Sequence, residues 1–490
     1  MNEKYNIKLI LLLTLPLLII IGCAGNGVKQ PPATGSTIDK DSARARMLEA
    51  DQKVIILGVD GLTWRKLDAY RRQGLLPNFD KLIKSGASGK IESLNPMFSI
   101  SLWTTIVTGV DYETHGVQYF YKFGNNGTML PYTNLDRKVK ALWNIMNDLD
   151  EPSGWVSWWG SWPAEPVKGF NISNYFIADF GFRDVEELSL YYPPEIGEDL
   201  QKIKDTYTSE WGETRLDPII GDLSKINREN LKQDFWGEFK YGSLNWVYRY
   251  NKYSFLYNFL RNDFKNDALA MNAGLQMMDK YAPRLTGIYL NGIDGVSHKF
   301  WKYDSVDRAI PPDVELSKEE EDMFGRVLSE YYRYQDELLG QLLDKIDDKT
   351  TLMIVSDHGF QYVDKSNYIS LSPLLHKLGY ISFKDDGEKT DLQISLVHEV
   401  TIKPWDQARF IRINKKSNDF KDIDGTPLGA VMAGKEESEL RQKLIGVLAG
   451  LQLKNKKIPL FTDVRKPFPQ EINQNDGQGD ILAQLNREIF

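Results

Sequence analysis

The chain has 490 residues, enough to bury a large core and to hold one large α/β domain or two to three smaller ones. Its formal net charge is −8 with no basic block, which argues against duplex nucleic acid as a partner. A single cysteine excludes an intrachain disulfide.

Residues 1–22 read as a targeting segment. Lys4 and Lys8 precede an apolar run, Leu9 to Ile21, that is too short to span a bilayer as a helix. The run closes in Ile20-Ile21-Gly22-Cys23, which resembles the bacterial lipobox, whose cysteine is lipidated and becomes the new amino terminus. The alternative is an ordinary signal peptide with an incidental cysteine. Lipidation of Cys23 would anchor the protein to a bacterial membrane, facing the periplasm or the cell exterior. Residues 23–51, with Pro31-Pro32, Gly35 and mixed charges, suit a flexible tether.

Lys53 to Val59 is a buried strand that ends in Asp60 and Gly61. Thr63 to Arg72 suits a helix, and Pro77 opens a second one with Phe79, Leu82 and Ile83 on one face. After Pro96, the spacing of Ile100, Trp103, Ile106 and Val107 predicts a helix from about Ser99. A hydroxyl at that position has two uses. It can cap the helix, or it can act as a nucleophile where the helix N-terminus favours a phosphate-like anion. A helix near Val139–Met146 leads to a second strand, Gly154–Trp158. Residues 162–267 depart from strand–helix alternation and are rich in Trp, Tyr and Phe, as an insertion packed over the sheet end would be. Those aromatics could hold a substrate or fill the insertion's own core.

Asn266 to Lys280 is helical, and Leu285 to Gly292 is a strand. Asp294 and His298 follow it four residues apart, so one helical turn would put both on the same face. A surface aspartate beside an unrelated histidine is the alternative. Ser317-x-x-Glu320 caps a long helix that runs to Ile346. That helix returns the chain to Thr351–Val355, read as a strand buried on both faces and followed by Ser356-Asp357-His358-Gly359. Ligands bind at the carboxyl ends of strands in open α/β sheets. Adjacent Asp and His offer an oxygen and an imidazole nitrogen, suited to zinc or manganese, although a plain turn reads the same way. Downstream, Ser370–Gly379 and Glu436–Leu451 suit helices, and Ala408–Ile413 alternates like a half-exposed strand in a small antiparallel piece.

Asp60, Ser99, Asp294/His298 and Asp357/His358 thus repeat one pattern, and their order and surroundings resemble the alkaline phosphatase superfamily. The branch is the type I phosphodiesterase/nucleotide pyrophosphatase family. The motifs are VIILGVDGL, LPNFDKLIKSGASG, NPMFSISLWTTIVTGVDYETHGV, GIDGVSH and VSDHGF. The resemblance runs from Lys53 to the carboxyl end and looks closest to predicted phosphohydrolases of that branch. It implies one α/β catalytic domain over 52–490, with a mostly parallel sheet, helices on both faces and the aromatic insertion. It implies a phosphate-ester substrate and two divalent ions, zinc or else manganese, bridged by the phosphoryl group. Asp60, Ser99, Asp357 and His358 would surround one ion, and Asp294 and His298 would contribute to the other. Ser99 would be the nucleophile, passing through a phosphoseryl enzyme.

Three departures qualify the resemblance. Phe120 stands five residues after His115, where nucleotide pyrophosphatases usually have an asparagine that contacts phosphate. No sulfatase-type Cys/Ser-x-Pro-x-Arg occurs. The second ion normally takes a further downstream histidine, and only His376 and His398 follow, both reading as structural. Gln478–Asn486 resembles the start of another strand, so the domain is expected to be shortened and its second ion weakly held. The competing class is a non-catalytic lipoprotein that keeps the fold as a binding module.

Overall fold

A computed structural model describes residues 52–94, 97–123, 129–178, 189–227, 252–308, 310, 316–362, 371–383, 391, 394–399, 408–416, 429–453, 457–467 and 480–486. The expected signal peptide, Cys23 and the whole of the tether therefore lie outside the described residues. No described helix is long and apolar enough to cross a membrane. The chain divides into two compact units. One lies within residues 1–121, 131–240 and 245–362, the other within 122–130, 241–244 and 363–490.

The first unit is built on a six-stranded sheet. Its order is Tyr191–Tyr192, Gly169–Ile172, Ser153–Val156, Leu285–Leu290, Lys53–Val59 and Thr350–Val355. All neighbours are parallel except the pair formed by Gly169–Ile172 and Tyr191–Tyr192, which is antiparallel. Side chains alternate across a strand, so each face gathers its own core. Ile55, Leu57 and Val59 join one cluster with Leu67 and Tyr70 of the Trp64–Arg72 helix and with the Val327–Leu343 helix. Ile56 faces the other way, into Trp103, Trp143, Trp155, Trp158 and Tyr289. Helices cover both faces, as the α/β reading requires.

Three readings change. Thr350–Val355 is not buried on both faces: it is an edge strand among the described residues, with Met353 36 % exposed. An apolar run does not reveal whether a second neighbour pairs with it. Residues 162–267 are not wholly an addition to the sheet, because Gly169–Ile172 and Tyr191–Tyr192 are strands of it. Trp162 and Phe176 from this region are buried, so these aromatics fill a core; Trp236, Trp246, Tyr248 and Tyr250 lie outside the described residues. The long helix after Ser317 is two, Lys318–Phe324 and Val327–Leu343. Ser317 does cap the first, accepting from the Glu320 N–H at 3.2 Å, while the Glu320 carboxylate turns to Tyr303.

The second unit holds a four-stranded antiparallel sheet in the order Phe461–Arg465, Ile481–Leu485, Ala408–Ile413 and Val397–Glu399. Leu444 and Leu448 of the Lys435–Ala449 helix are buried in its core. Ile481–Leu485, read as the start of a further strand, pairs on both sides and is interior to this sheet.

Candidate active site

Strand register brings the predicted residues together. Gly58 pairs with Val355 and Val59 with Leu290, so the three strands end side by side. Asp60 leaves the first strand fully buried, and its N–H donates to the Leu290 carbonyl at 3.0 Å. Gly61 then turns at φ +67° with its Cα against the Asp294 backbone; a Cβ there would lie 3.0 Å from Asp294 Cα.

Ser99 is the first residue of the Ser99–Thr108 helix, whose cap position is Phe98. Ser99 therefore does not occupy the cap position, and the capping alternative is not realised. Ser99 Oγ instead lies 3.5 Å from Asp60 Oδ1 and 3.4 Å from His358 Nε2. The helix carries Trp103 one turn on, and its indole N–H donates to Asp60 Oδ2 at 3.0 Å. Gly58 makes room for that ring: a Cβ there would come within 2.7 Å of it.

Asp294 and His298 do share one face of the Gly292–Phe300 helix, with Nε2 3.4 Å from Asp294 Oδ2. His298 is at the rim, its side chain 60 % exposed and its ring against Phe360. His358 sits between the acids, with Nε2 3.4 Å from Asp60 Oδ1, 3.5 Å from Asp357 Oδ2 and 4.0 Å from Asp294 Oδ1. All six predicted side chains therefore belong to one connected cluster. Phe120 packs nearby, against Trp159 and Phe98.

The electrostatics are those of crowded acids. Burial raises the Asp60 pKa well above the usual carboxylate range, and the charges of Asp357 and Asp294 raise it further. Burial also raises Asp357, with His358 only partly offsetting it. Burial disfavours a charged His358, but Asp357 and Asp294 outweigh it and move its pKa up. Asp294 feels burial too, yet His298 and His358 bring it below the usual range.

This donor set fits a divalent cation. Asp60, Asp294 and His358 each offer a ligand atom within 4.8 Å of the others. Asp294 Oδ1 and Asp357 Oδ2 are buried without a hydrogen-bond partner among the described residues. Orphaned carboxylate oxygens are costly unless a positive charge meets them. Oxygen with imidazole nitrogen suits zinc or manganese.

Supporting residues escaped the sequence reading. Asp267, on the Lys252–Tyr281 helix, accepts from the Asn291 and Gly292 N–H groups at 3.1 Å each and from Tyr331 at 2.7 Å. It holds the start of the helix that carries Asp294 and His298, and burial raises its pKa to about 6. Lys66 is buried against Asp304, with Nζ to Oδ2 at 2.6 Å, and braces the chain beyond that helix. Tyr289, read as a strand residue, donates to Asp60 Oδ2 at 2.5 Å. In the second unit, His376 Nδ1 pairs with the Ile381 carbonyl at 2.8 Å. His398 lies in the Val397–Glu399 strand, where burial first, then Arg412, lowers its pKa to about 4.

A mainly parallel α/β sheet with helices on both faces, gathering carboxylates, imidazoles and a helix-start hydroxyl at its strand ends, is consistent with the alkaline-phosphatase-like fold. The chain matches the type I phosphodiesterase / nucleotide pyrophosphatase family over residues 54–488 and belongs to it. Solved structures similar to it include phosphonoacetate hydrolase from Sinorhizobium meliloti 1021 in complex with phosphonoacetate. That match has 14 % identity and a TM-score of 0.44, covering 89 % of this chain and 81 % of the other. The same enzyme with phosphonoformate gives 14 % identity and a TM-score of 0.43, with coverage of 89 % and 81 %. No curated protein sequence matches.

Proposed function

We propose that the protein is a metal-dependent phosphoric ester hydrolase with Ser99 as nucleophile and a phosphoseryl intermediate. The observation that supports this most is the Ser99 hydroxyl, unspent on capping and within 3.5 Å of both Asp60 Oδ1 and His358 Nε2. Ser99 gives its proton to solvent, and Oγ attacks phosphorus as the bond to the leaving oxygen breaks. The N-terminal end of the Ser99–Thr108 helix favours the anionic phosphoryl group. The departing alkoxide takes a proton from water. A second water then attacks the phosphoseryl phosphorus, the Oγ–P bond breaks, and Oγ regains a proton.

Asp60, Ser99, Asp357 and His358 would hold one divalent ion, and Asp294 and His298 would contribute to a second, zinc first and manganese as the alternative. Such ions supply Lewis acidity that favours the serine alkoxide and offsets phosphoryl charge. In the test, Ser99→Ala should abolish turnover of an aryl phosphate or aryl phosphodiester while divalent metal stays bound. Wild-type turnover by the variant would overturn the assignment.

A further inference from the structure

We infer that Tyr289 is a positioning residue that makes Asp60 a one-oxygen ligand, holding Oδ2 back and leaving Oδ1 alone to face the ion and Ser99. The inference rests on the metal-site reading above.

The two oxygens of Asp60 have separate surroundings. Oδ2 accepts from Trp103 Nε1 at 3.0 Å and from the Tyr289 hydroxyl at 2.5 Å. Oδ1 faces Ser99 Oγ at 3.5 Å and His358 Nε2 at 3.4 Å. An unrestrained carboxylate can rotate or chelate an ion through both oxygens. Two donors converging on one oxygen remove that freedom.

The Tyr289 hydroxyl is itself directed. Trp159 Nε1 donates to it at 2.7 Å, which fills one acceptor site on the phenolic oxygen. The Asn291 side-chain amide lies 2.9 Å away, so two groups compete for a single phenolic proton. The Asp60 oxygen is the nearer acceptor, and it takes the proton. With that proton directed at Asp60, the Asn291 amide, placed with its oxygen towards the phenol, can present its nitrogen there instead, since the two atoms are interchangeable in shape. The chain runs one way, from Trp159 and Asn291 to Tyr289 and on to Asp60, each bond polarising the next.

Simple core packing does not account for the hydroxyl. The Tyr289 ring meets Trp103, Trp158 and Trp159 edge-on, at centroid distances of 5.0, 6.4 and 6.5 Å. Phenylalanine would make the same ring contacts. Only the oxygen reaches Asp60.

The test uses the metal-stripped full chain titrated with Mn2+, free ion being read by its electron paramagnetic resonance signal. Groups that orient a metal ligand are commonly worth about 10-fold or more in metal affinity. Tyr289→Phe is expected to weaken binding by at least about 10-fold, with the melting temperature of the metal-free protein close to wild type. Trp159→Phe, which withdraws the donor to the phenol and leaves a smaller ring against Phe120, should weaken binding a few-fold and serves if Tyr289→Phe does not fold. Affinities equal to wild type in both variants overturn the inference alone. No binding by the wild-type protein would overturn the metal site itself, and this inference with it.

Discussion

His115 closes the segment that follows the Ser99–Thr108 helix, and both of its ring nitrogens are engaged. The Val117 N–H donates to Nδ1 at 3.1 Å, so that nitrogen is bare and Nε2 carries the proton facing Thr105 Oγ1, also at 3.1 Å. Thr105 in turn donates to the Ser101 carbonyl at 3.0 Å, in the turn that presents Ser99. A second proton would have to enter at Nδ1, against an N–H donor. The residue is fully buried, and burial moves its pKa from 6.5 down to about 4, only partly opposed by the Ser101 backbone and Asp111.

Between those two values the unfolded chain binds a proton that the folded chain refuses. Stability from this group is therefore complete above about pH 6.5 and is lost as pH falls towards 4. At about 1.36 kcal/mol per unit, a separation of 6.5 − 4 = 2.5 units amounts to about 3 kcal/mol. The perturbation is His115→Asn, which keeps an acceptor for Val117 but cannot titrate. Urea midpoints would be measured for both proteins from pH 7.5 to 4. The variant loses the Thr105 bond at every pH, a constant offset of about 1 kcal/mol. Across the window the difference should move by up to about 3 kcal/mol against the wild type, turning its lead into a deficit at low pH, and His398, present in both proteins, cancels. Parallel stability curves would refute the reasoning.

Two other predictions concern the ions and the amino terminus. On the proposed two-ion site, Asp294 and His298 would supply two protein ligands where a catalytic zinc commonly has three, so Zn2+ titration should resolve one tight and one much weaker ion. Two equally tight ions would show that a further ligand completes the second position. Cys23→Ser should release the protein from the membrane fraction or leave its leader uncleaved; an unchanged membrane fraction would contradict lipidation.

Asp60, Asp294, Asp357 and His358 were legible because each follows an apolar run, and strand ends are where open α/β sheets place chemistry. Ser99 was legible only as a choice between two uses, and the sequence could not show that its hydroxyl lies beside Asp60 and His358 rather than at the cap position. Tyr289 and Trp103 were hidden for a plain reason: in a buried strand and a helix they satisfy the apolar pattern, and their polar atoms acquire meaning only from the residue across the sheet. Asp267 was hidden similarly, because the N–H groups it holds lie 24 and 25 residues away. The edge position of Thr350–Val355 depends on pairing partners, and a strand's own residues do not specify them. In the second unit, Val397–Glu399 spans three residues, too few for alternation to register.

The central claim is that Ser99 becomes phosphorylated during turnover. The direct measurement is a rapid acid quench of the metal-loaded protein with an aryl phosphate ester, followed by peptide mass spectrometry. Phosphate on Ser99 in the wild type, and its absence in Ser99→Ala, is the predicted result. Turnover with Ser99 unmodified at every quench time, or phosphate trapped on Ser101 or Thr104, would contradict it.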